Sequence, residues 1–311
     1  MILPLTNSIV EKITYQPSGY KEIDIWIKRD DLLHPHISGN KYRKLKYNLE
    51  EVKRQELDTL LTFGGAFSNH IAATAAAGHE FGVKTIGVVR GDELALDLEQ
   101  TITNNPTLAL AYQHGMKFKF VDRKSYRLKH TEPFIADLRK EFGDFYLVPE
   151  GGTNKLAIKG TEEIIGEDES KFDYICSAIG TGGTISGIIN SVKNHQKVLG
   201  FPALKEDFLH NEINKYVNNT DNWELVRDYN FGGFAKITKE LVLFINDFKE
   251  QTGLQLDPIY TGKMLFGIVD LFKKDFFKKG TKILAIHSGG LQGIDGMNTR
   301  LKNKNLPTIN I

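Results

Sequence analysis

Cysteine is almost missing from this sequence. Cys176 is the single one in 311 residues, which excludes an intramolecular disulfide and any cysteine-built metal site. No apolar run approaches membrane length. Met1 to Leu5 is apolar, but Thr6, Asn7 and Ser8 follow at once, too soon for a signal-peptide core. An excess of charge of one sign is also lacking: the net charge is +1, so no strong field attracts nucleic acid or a lipid surface. His34 and His36 flank Pro35 with no further ligand at a sensible spacing, which argues against a metal. Linkers rich in Pro or Ser, low-complexity tracts and solenoid repeats are not evident. The expectation is a soluble, cytoplasmic protein with no metal and neither nucleic acid nor membrane as partner.

Strand-like and helix-like patterns alternate along nearly the whole chain. Ile23, Ile25 and Ile27 alternate with polar neighbours as in a half-buried strand, and Leu45, Leu49 and Val52 then repeat at helical spacing. Leu57 to Phe63 reads as a strand, Ser68 to Phe81 as an alanine-rich helix and Val83 to Val89 as a strand. A helix ending near Gly115, the strands Phe118 to Val121 and Phe145 to Val148, and an intervening helix complete the first half. The second half has strands at Tyr174 to Ile179, Lys197 to Phe201 and Ile283 to Ile286, with helices from about Thr184 and over Ile237 to Gln251. Such alternation implies right-handed βαβ crossovers and mostly parallel, twisted sheets. The strands are too many for one sheet of ordinary size, so the expected fold is two three-layer α/β domains.

Two segments carry candidate chemistry. Gly180-Thr181-Gly182-Gly183-Thr184 follows a strand and opens a helix, where free N–H groups favour an anion. Ile185 occupies the third glycine of a dinucleotide fingerprint, and no Walker lysine follows Gly187. The loop is either a phosphate cradle or a tight turn without ligand. The second segment, Ser38-Gly39-Asn40-Lys41, sits where a helix begins, ahead of Tyr42, Arg43, Lys44 and Lys46. It reads either as a solvated basic helix face or as a lysine whose ammonium is disfavoured by the helix end and by Arg43 and Lys44. A neutral amine is what condensation with an aldehyde cofactor requires.

Taken together and in order, Gly39-Asn40-Lys41-Tyr42-Arg43-Lys44-Leu45, Ser68-Asn69-His70, the glycine loop and Asp257-Pro258-Ile259-Tyr260-Thr261-Gly262-Lys263 resemble one family. It is that of 1-aminocyclopropane-1-carboxylate deaminase and D-cysteine desulfhydrase, fold-type-II pyridoxal-phosphate enzymes related to the tryptophan synthase β subunit. The resemblance runs from about Ile25 to Gln292. It implies pyridoxal 5'-phosphate as cofactor, a homodimer, a large cofactor-binding domain of residues 1–46 plus 155–311, and a small domain of residues 47–154. It implies that Lys41 bears the cofactor and that Asn69 binds the cofactor's 3-hydroxyl. Ser68, Asn69 and His70 would meet the substrate, with Ser68 assisting proton transfer. Gly180, Thr181, Gly182, Gly183 and Thr184 would hold the phosphate. Tyr260 would lie beside the cofactor ring as a catalytic group, and Thr261 and Ser288 would contact the ring nitrogen. Without the resemblance, Ser68 reads as a helix cap, His70 as a satisfied histidine and Tyr260 as a core aromatic.

Within that family the hydroxyls of Thr261 and Ser288 resemble the desulfhydrase branch, whereas the deaminase branch has glutamate and leucine there. The expected function is a lyase or deaminase of small-amino-acid breakdown. It would eliminate hydrosulfide from D-cysteine to give pyruvate and ammonia. Aminocyclopropane-carboxylate deamination (a hydrolase activity) and a lyase or racemase on another small amino acid are alternatives. A protein that only binds pyridoxal phosphate or an amino acid is a further one. Phe234 replaces the tyrosine that the family has near the substrate, which leaves the substrate's identity open.

Overall fold

The computed structural model describes residues 8–37, 39–205, 208–218 and 221–311; Met1 to Leu5 and Ser38 lie outside the described residues. Its strands are β1 (Val10–Tyr15), β2 (Ile23–Lys28), β3 (Thr59–Gly65), β4 (Lys84–Arg90), β5 (Lys117–Val121), β6 (Tyr146–Val148), β7 (Tyr174–Ile179), β8 (Lys197–Pro202), β9 (Trp223–Leu225) and β10 (Ile283–Ile286). They form a six-stranded sheet in the order β1-β2-β10-β7-β8-β9 and a four-stranded sheet in the order β5-β4-β3-β6. Every neighbouring pair is parallel except β1 with β2. Among its helices are α1 (Asn40–Arg54), α2 (Asn69–Phe81), α3 (Lys155–Glu162), α4 (Gly183–Ser191), α5 (Lys239–Thr252) and α6 (Thr261–Lys273).

Parallel strands covered on both faces read as continuous apolar runs, because each face needs apolar residues. In β10, Ile283 and Ala285 join the layer containing Met264 and Ile268 of α6, while Leu284 and Ile286 join the opposite layer with Ile185 and Ile188 of α4. Each such isoleucine or leucine contributes about 1.5–3 kcal/mol by burial. The smaller sheet is sandwiched in the same way. Leu60 packs with α1 and α2, and Leu61 and Phe63 pack with Tyr126 and Leu138.

Several elements differ from the sequence reading. The edge strands β1 and the three-residue β9, and the helix α6, lie outside the expectations from sequence. The helix expected before Gly115 is two helices, because Pro106 lacks an N–H and the Asn105 side chain accepts from Thr107 N and Leu108 N to begin a new one. The long helix expected over Ile237 to Gln251 begins at Lys239, since Thr238 Oγ1 accepts from Leu241 N and caps it.

The solvated-face reading of the basic cluster is overturned: Arg43, Lys44 and Lys46 are all buried. Arg43 donates from Nε to Asp30 Oδ2 at 2.8 Å and from Nη2 to Asp30 Oδ1 at 3.0 Å, and Ser8 donates to the same carboxylate. Removing one partner of such a pair strands the other charge. Asp30→Ala is therefore expected to cost about 3–5 kcal/mol in denaturant unfolding. A cost below about 1 kcal/mol, that of an exposed pair, would contradict the buried geometry.

Close helix packing carries α1 to the glycine loop. A Cβ on Gly160 would lie 2.0 Å from Arg43 O, pressing α3 on α1, and one on Gly187 would lie 2.2 Å from Thr161 Oγ1, pressing α4 on α3.

Candidate active site

The carboxyl ends of strands from both sheets meet, where ligands of open parallel sheets bind. The loop Gly180 to Thr184 follows β7, the turn His287 to Gly290 follows β10, Ser68 follows β3 and Pro149 to Thr153 follow β6. Gly39 joins these pieces. Its φ is +61°, and a Cβ there would stand 1.8 Å from Ser288 O, so only glycine permits α1 to start against that turn. Asn40 N donates to Ser288 O at 3.2 Å.

One end of the site is built for an anion. Gly182, at φ +88°, precedes α4 without a side-chain cap, so the first N–H groups of the helix have no partner inside it. Asn40 Nδ2 donates to Thr184 Oγ1 at 2.6 Å, and Thr181 Oγ1 lies 2.6 Å from Thr153 Oγ1. Lys44, which the sequence reading assigned no site role, reaches the same place. Its Nζ donates to Gly151 O at 3.0 Å and to Thr153 Oγ1 at 3.2 Å, and a Cβ on Gly183 would come within 3.0 Å of it. The signal was its position three residues after Lys41, hence on the same helix face. Lys44 pairs with no carboxylate among the described residues. Burial first, then the nearby Lys41, hold its ammonium well below the usual lysine range. A buried cation beside an uncapped helix start needs an anionic partner.

Lys41 Nζ lies 3.5 Å from the same Gly151 O. Its pKa is lowered to about 8 by burial. Burial, which the expectation of a helix end with Arg43 and Lys44 left out, is the cause of this shift, and Arg43 points away to Asp30. The free-amine fraction of Lys41 rises with pH up to about 8 and then levels. Pyridoxal phosphate is expected to attach to the apoprotein faster by about tenfold per pH unit below that point. Stopped-flow absorbance across pH 6 to 9 measures it, and a rise continuing unchanged to pH 10 would contradict a lowered pKa.

The remaining side chains line the other walls. Ser68 Oγ accepts from Ile71 N at 3.4 Å, capping α2 and leaving its own proton free. A Cβ on Gly290 would lie 3.1 Å from Asn69 Nδ2 and 3.2 Å from Asp257 Cγ, which places both groups against the turn. Asp257 is buried and is a second residue that the sequence reading left without a role. Its carboxylate accepts from Ile259 N, Tyr260 N, Thr261 N and Thr261 Oγ1, and so fixes the start of α6. Thr261 is fully buried, with its hydroxyl proton on Asp257 at 2.7 Å. Tyr260 Cε1 would be 3.3 Å from a Cβ on Gly180, so the ring faces the glycine loop. Burial, then Asp257 and Glu150, raise its phenol pKa and keep the proton on it. Phe234 is 51% exposed, with its ring centroid 6.4 Å from that of Tyr260. His70 is buried, with Nε2 2.8 Å from Thr62 Oγ1 and Nδ1 without a partner among the described residues. It is not the satisfied histidine that the sequence alone suggests.

Away from this site, His34, His36, His79 and His114 gather at the surface, with successive ring centroids 5.2–6.4 Å apart. Sequence spacing concealed this gathering. Among the described residues, no three His, Cys, Asp or Glu side chains are placed to hold a metal ion. Among the same residues, no helix is long and apolar enough to cross a membrane.

The family of pyridoxal-phosphate dependent enzymes matches residues 13–289. A Pyrococcus horikoshii protein, named provisionally as a 1-aminocyclopropane-1-carboxylate deaminase, is 34% identical over 90% of this chain and 89% of its own. This chain belongs to the 1-aminocyclopropane-1-carboxylate deaminase and D-cysteine desulfhydrase family of pyridoxal-phosphate enzymes. The bifunctional D-cysteine desulfhydrase/1-aminocyclopropane-1-carboxylate deaminase of Arabidopsis thaliana mitochondria is 32% identical, over 87% of this chain and 73% of that one. The crystal structure of a 1-aminocyclopropane-1-carboxylate deaminase homologue superposes with a TM-score of 0.79 at 30% identity, covering 97% of this chain and 95% of the other. The site fits the family's cofactor. The buried Lys44 ammonium and the uncapped α4 suit its phosphate, and the amine of Lys41 suits its aldehyde.

Proposed function

We propose that this enzyme eliminates hydrosulfide from D-cysteine, giving pyruvate, ammonia and hydrogen sulfide with uptake of one water. The observation that carries the reading is the pair of hydroxyl residues, Thr261 and Ser288, at the Asp257 end of the site. Both Asp257 oxygens are engaged by the first turn of α6, so that carboxylate is not free to hold a proton on a ring nitrogen. When bound, pyridoxal phosphate withdraws the electrons left at the α-carbon, and without a carboxylate partner for its nitrogen it does so less strongly. Such an electron sink is enough when the leaving group is as good as hydrosulfide. It suits the opening of an aminocyclopropane ring poorly, since that substrate has no α-proton to lose.

The chain's own groups then take the following roles. Lys41 would hold the cofactor, and its amine, whose ammonium burial disfavours, would take the α-proton of the bound substrate. The hydroxyl of Ser68 and the N–H groups of Asn69 and His70 at the start of α2 bind the substrate carboxylate. The Asn69 amide contacts the cofactor hydroxyl, and Gly180 to Thr184 with Lys44 hold its phosphate. Tyr260, with its proton retained, donates to the departing group. Ring opening is the second reading, favoured by the Arabidopsis relative being named for both activities.

The cofactor-loaded enzyme should be incubated in parallel with D-cysteine, L-cysteine and aminocyclopropane carboxylate while sulfide and keto acid are measured. Sulfide and pyruvate in equal amounts from D-cysteine are expected. Ketobutyrate from the cyclopropane substrate without sulfide from D-cysteine would overturn the proposal.

A further inference from the structure

His70 and Thr62 form a hydrogen-bond chain whose direction only one proton arrangement satisfies. Thr62 lies on β3, opposite Val148 of β6. Its Oγ1 is 2.8 Å from Val148 O and 2.8 Å from His70 Nε2. All of this is buried: Thr62 is 0% exposed and His70 2%. A carbonyl oxygen only accepts, and a hydroxyl has one proton to give. If that proton goes to Val148 O, His70 Nε2 must carry its own and donate it to Thr62. If His70 Nε2 were bare, the single Thr62 proton could serve only one of the two 2.8 Å contacts, and in the other two lone pairs would face each other with no proton between them.

The opposite nitrogen, Nδ1, has no partner within the described residues; the ring's Cε1 edge meets Gly152, where a Cβ would stand 2.9 Å from Cε1 and 3.2 Å from Nδ1. Gly152 adjoins Gly151, whose carbonyl Lys41 and Lys44 both approach. Burial, then Lys41 and Lys44 in that order, hold the His70 pKa well below the usual histidine value, so the ring does not carry a second proton. Apart from those two lysines, no charged group is resolved as acting on the ring.

We infer that Thr62 locks His70 as the Nε2–H tautomer, leaving Nδ1 as a hydrogen-bond acceptor for an amine in the pocket, that of Lys41 or of the substrate. A bare Nδ1 repels a carboxylate, so His70 does not grip the substrate's carboxylate through its ring. Thr62 is a positioning residue acting through His70. The catalytic consequence rests on the active site proposed above, whereas the tautomer does not.

The test is nitrogen NMR of holoenzyme labelled with ¹⁵N-histidine, with the His70 signals assigned by their loss in His70→Gln. A protonated Nε2 and a bare Nδ1 throughout pH 6 to 8 are expected. A protonated Nδ1, or titration of the ring in that range, would overturn the inference. In Thr62→Val both tautomers should appear, with kcat for the accepted substrate reduced by about tenfold or more and KM nearly unchanged, and Thr62→Ser should restore both readouts. An unchanged kcat with a raised KM would mean that the ring does grip the carboxylate, and would also overturn it. Should Thr62→Val not fold, the wild-type spectrum and Thr62→Ser decide. An enzyme inactive on D-cysteine but showing the expected spectrum would remove the substrate proposal and leave the tautomer standing.

Discussion

Replacing Lys41 with alanine is expected to abolish turnover, by at least about 10⁴-fold, and to remove the visible absorption of protein-linked cofactor. Lys41 is the amine that burial brings to a pKa of about 8 at the junction of the two sheets. The neighbouring Lys44, which approaches the same Gly151 O, is placed to substitute for it. It is already committed, with hydrogen bonds to Gly151 O and Thr153 Oγ1, and stands beside Gly183 at the anion end. Absorbance after reconstitution and single-turnover product release measure the two effects. A Lys41→Ala protein that stays yellow and active would require another lysine to bear the cofactor.

The second large effect is expected from Lys44→Met, which keeps the length of the side chain but removes its charge. With two of its protons on Gly151 O and Thr153 Oγ1, Lys44 has one left for a charge-assisted hydrogen bond to a phosphate, and losing that bond costs about 1.5–3 kcal/mol. The cofactor's dissociation constant should therefore rise by about 10- to 100-fold in a titration of the apoprotein. The apoprotein itself should be no less stable, since a buried ammonium without a carboxylate opposes folding. Unchanged cofactor affinity would mean that Lys44 faces something other than the phosphate.

Much of this architecture was legible in the residues. Runs such as Tyr174 to Ile179 and Ile283 to Ile286 announce parallel strands because both faces are buried, and the alternation with helices follows from that. Thr238 and Asn105 set helix starts by their side-chain oxygens, which is a local effect, yet periodicity alone overlooks it. The strand Trp223–Leu225 escaped because three residues at a sheet edge leave no period to detect.

For the site, the positions of Lys41, Ser68 and the glycine loop were readable from local chemistry and family resemblance. What stayed hidden came from long-range packing. The burial of Lys44 depends on Gly151 and Thr153, more than 100 residues away, and the Asp257 grip on Thr261 turns an apparently open hydroxyl into an occupied one. The unpaired nitrogen of His70 depends on Thr62 and Val148, which meet only when β3 and β6 pair.

We propose Lys41 as the residue that bears the cofactor. Borohydride reduction of the loaded enzyme, which makes that link permanent, followed by peptide mass mapping tests it most directly. The pyridoxyl mass on the peptide containing Lys41, and on that residue by fragmentation, is the predicted result. The same mass on Lys44, on Lys263 or on no lysine would contradict the account.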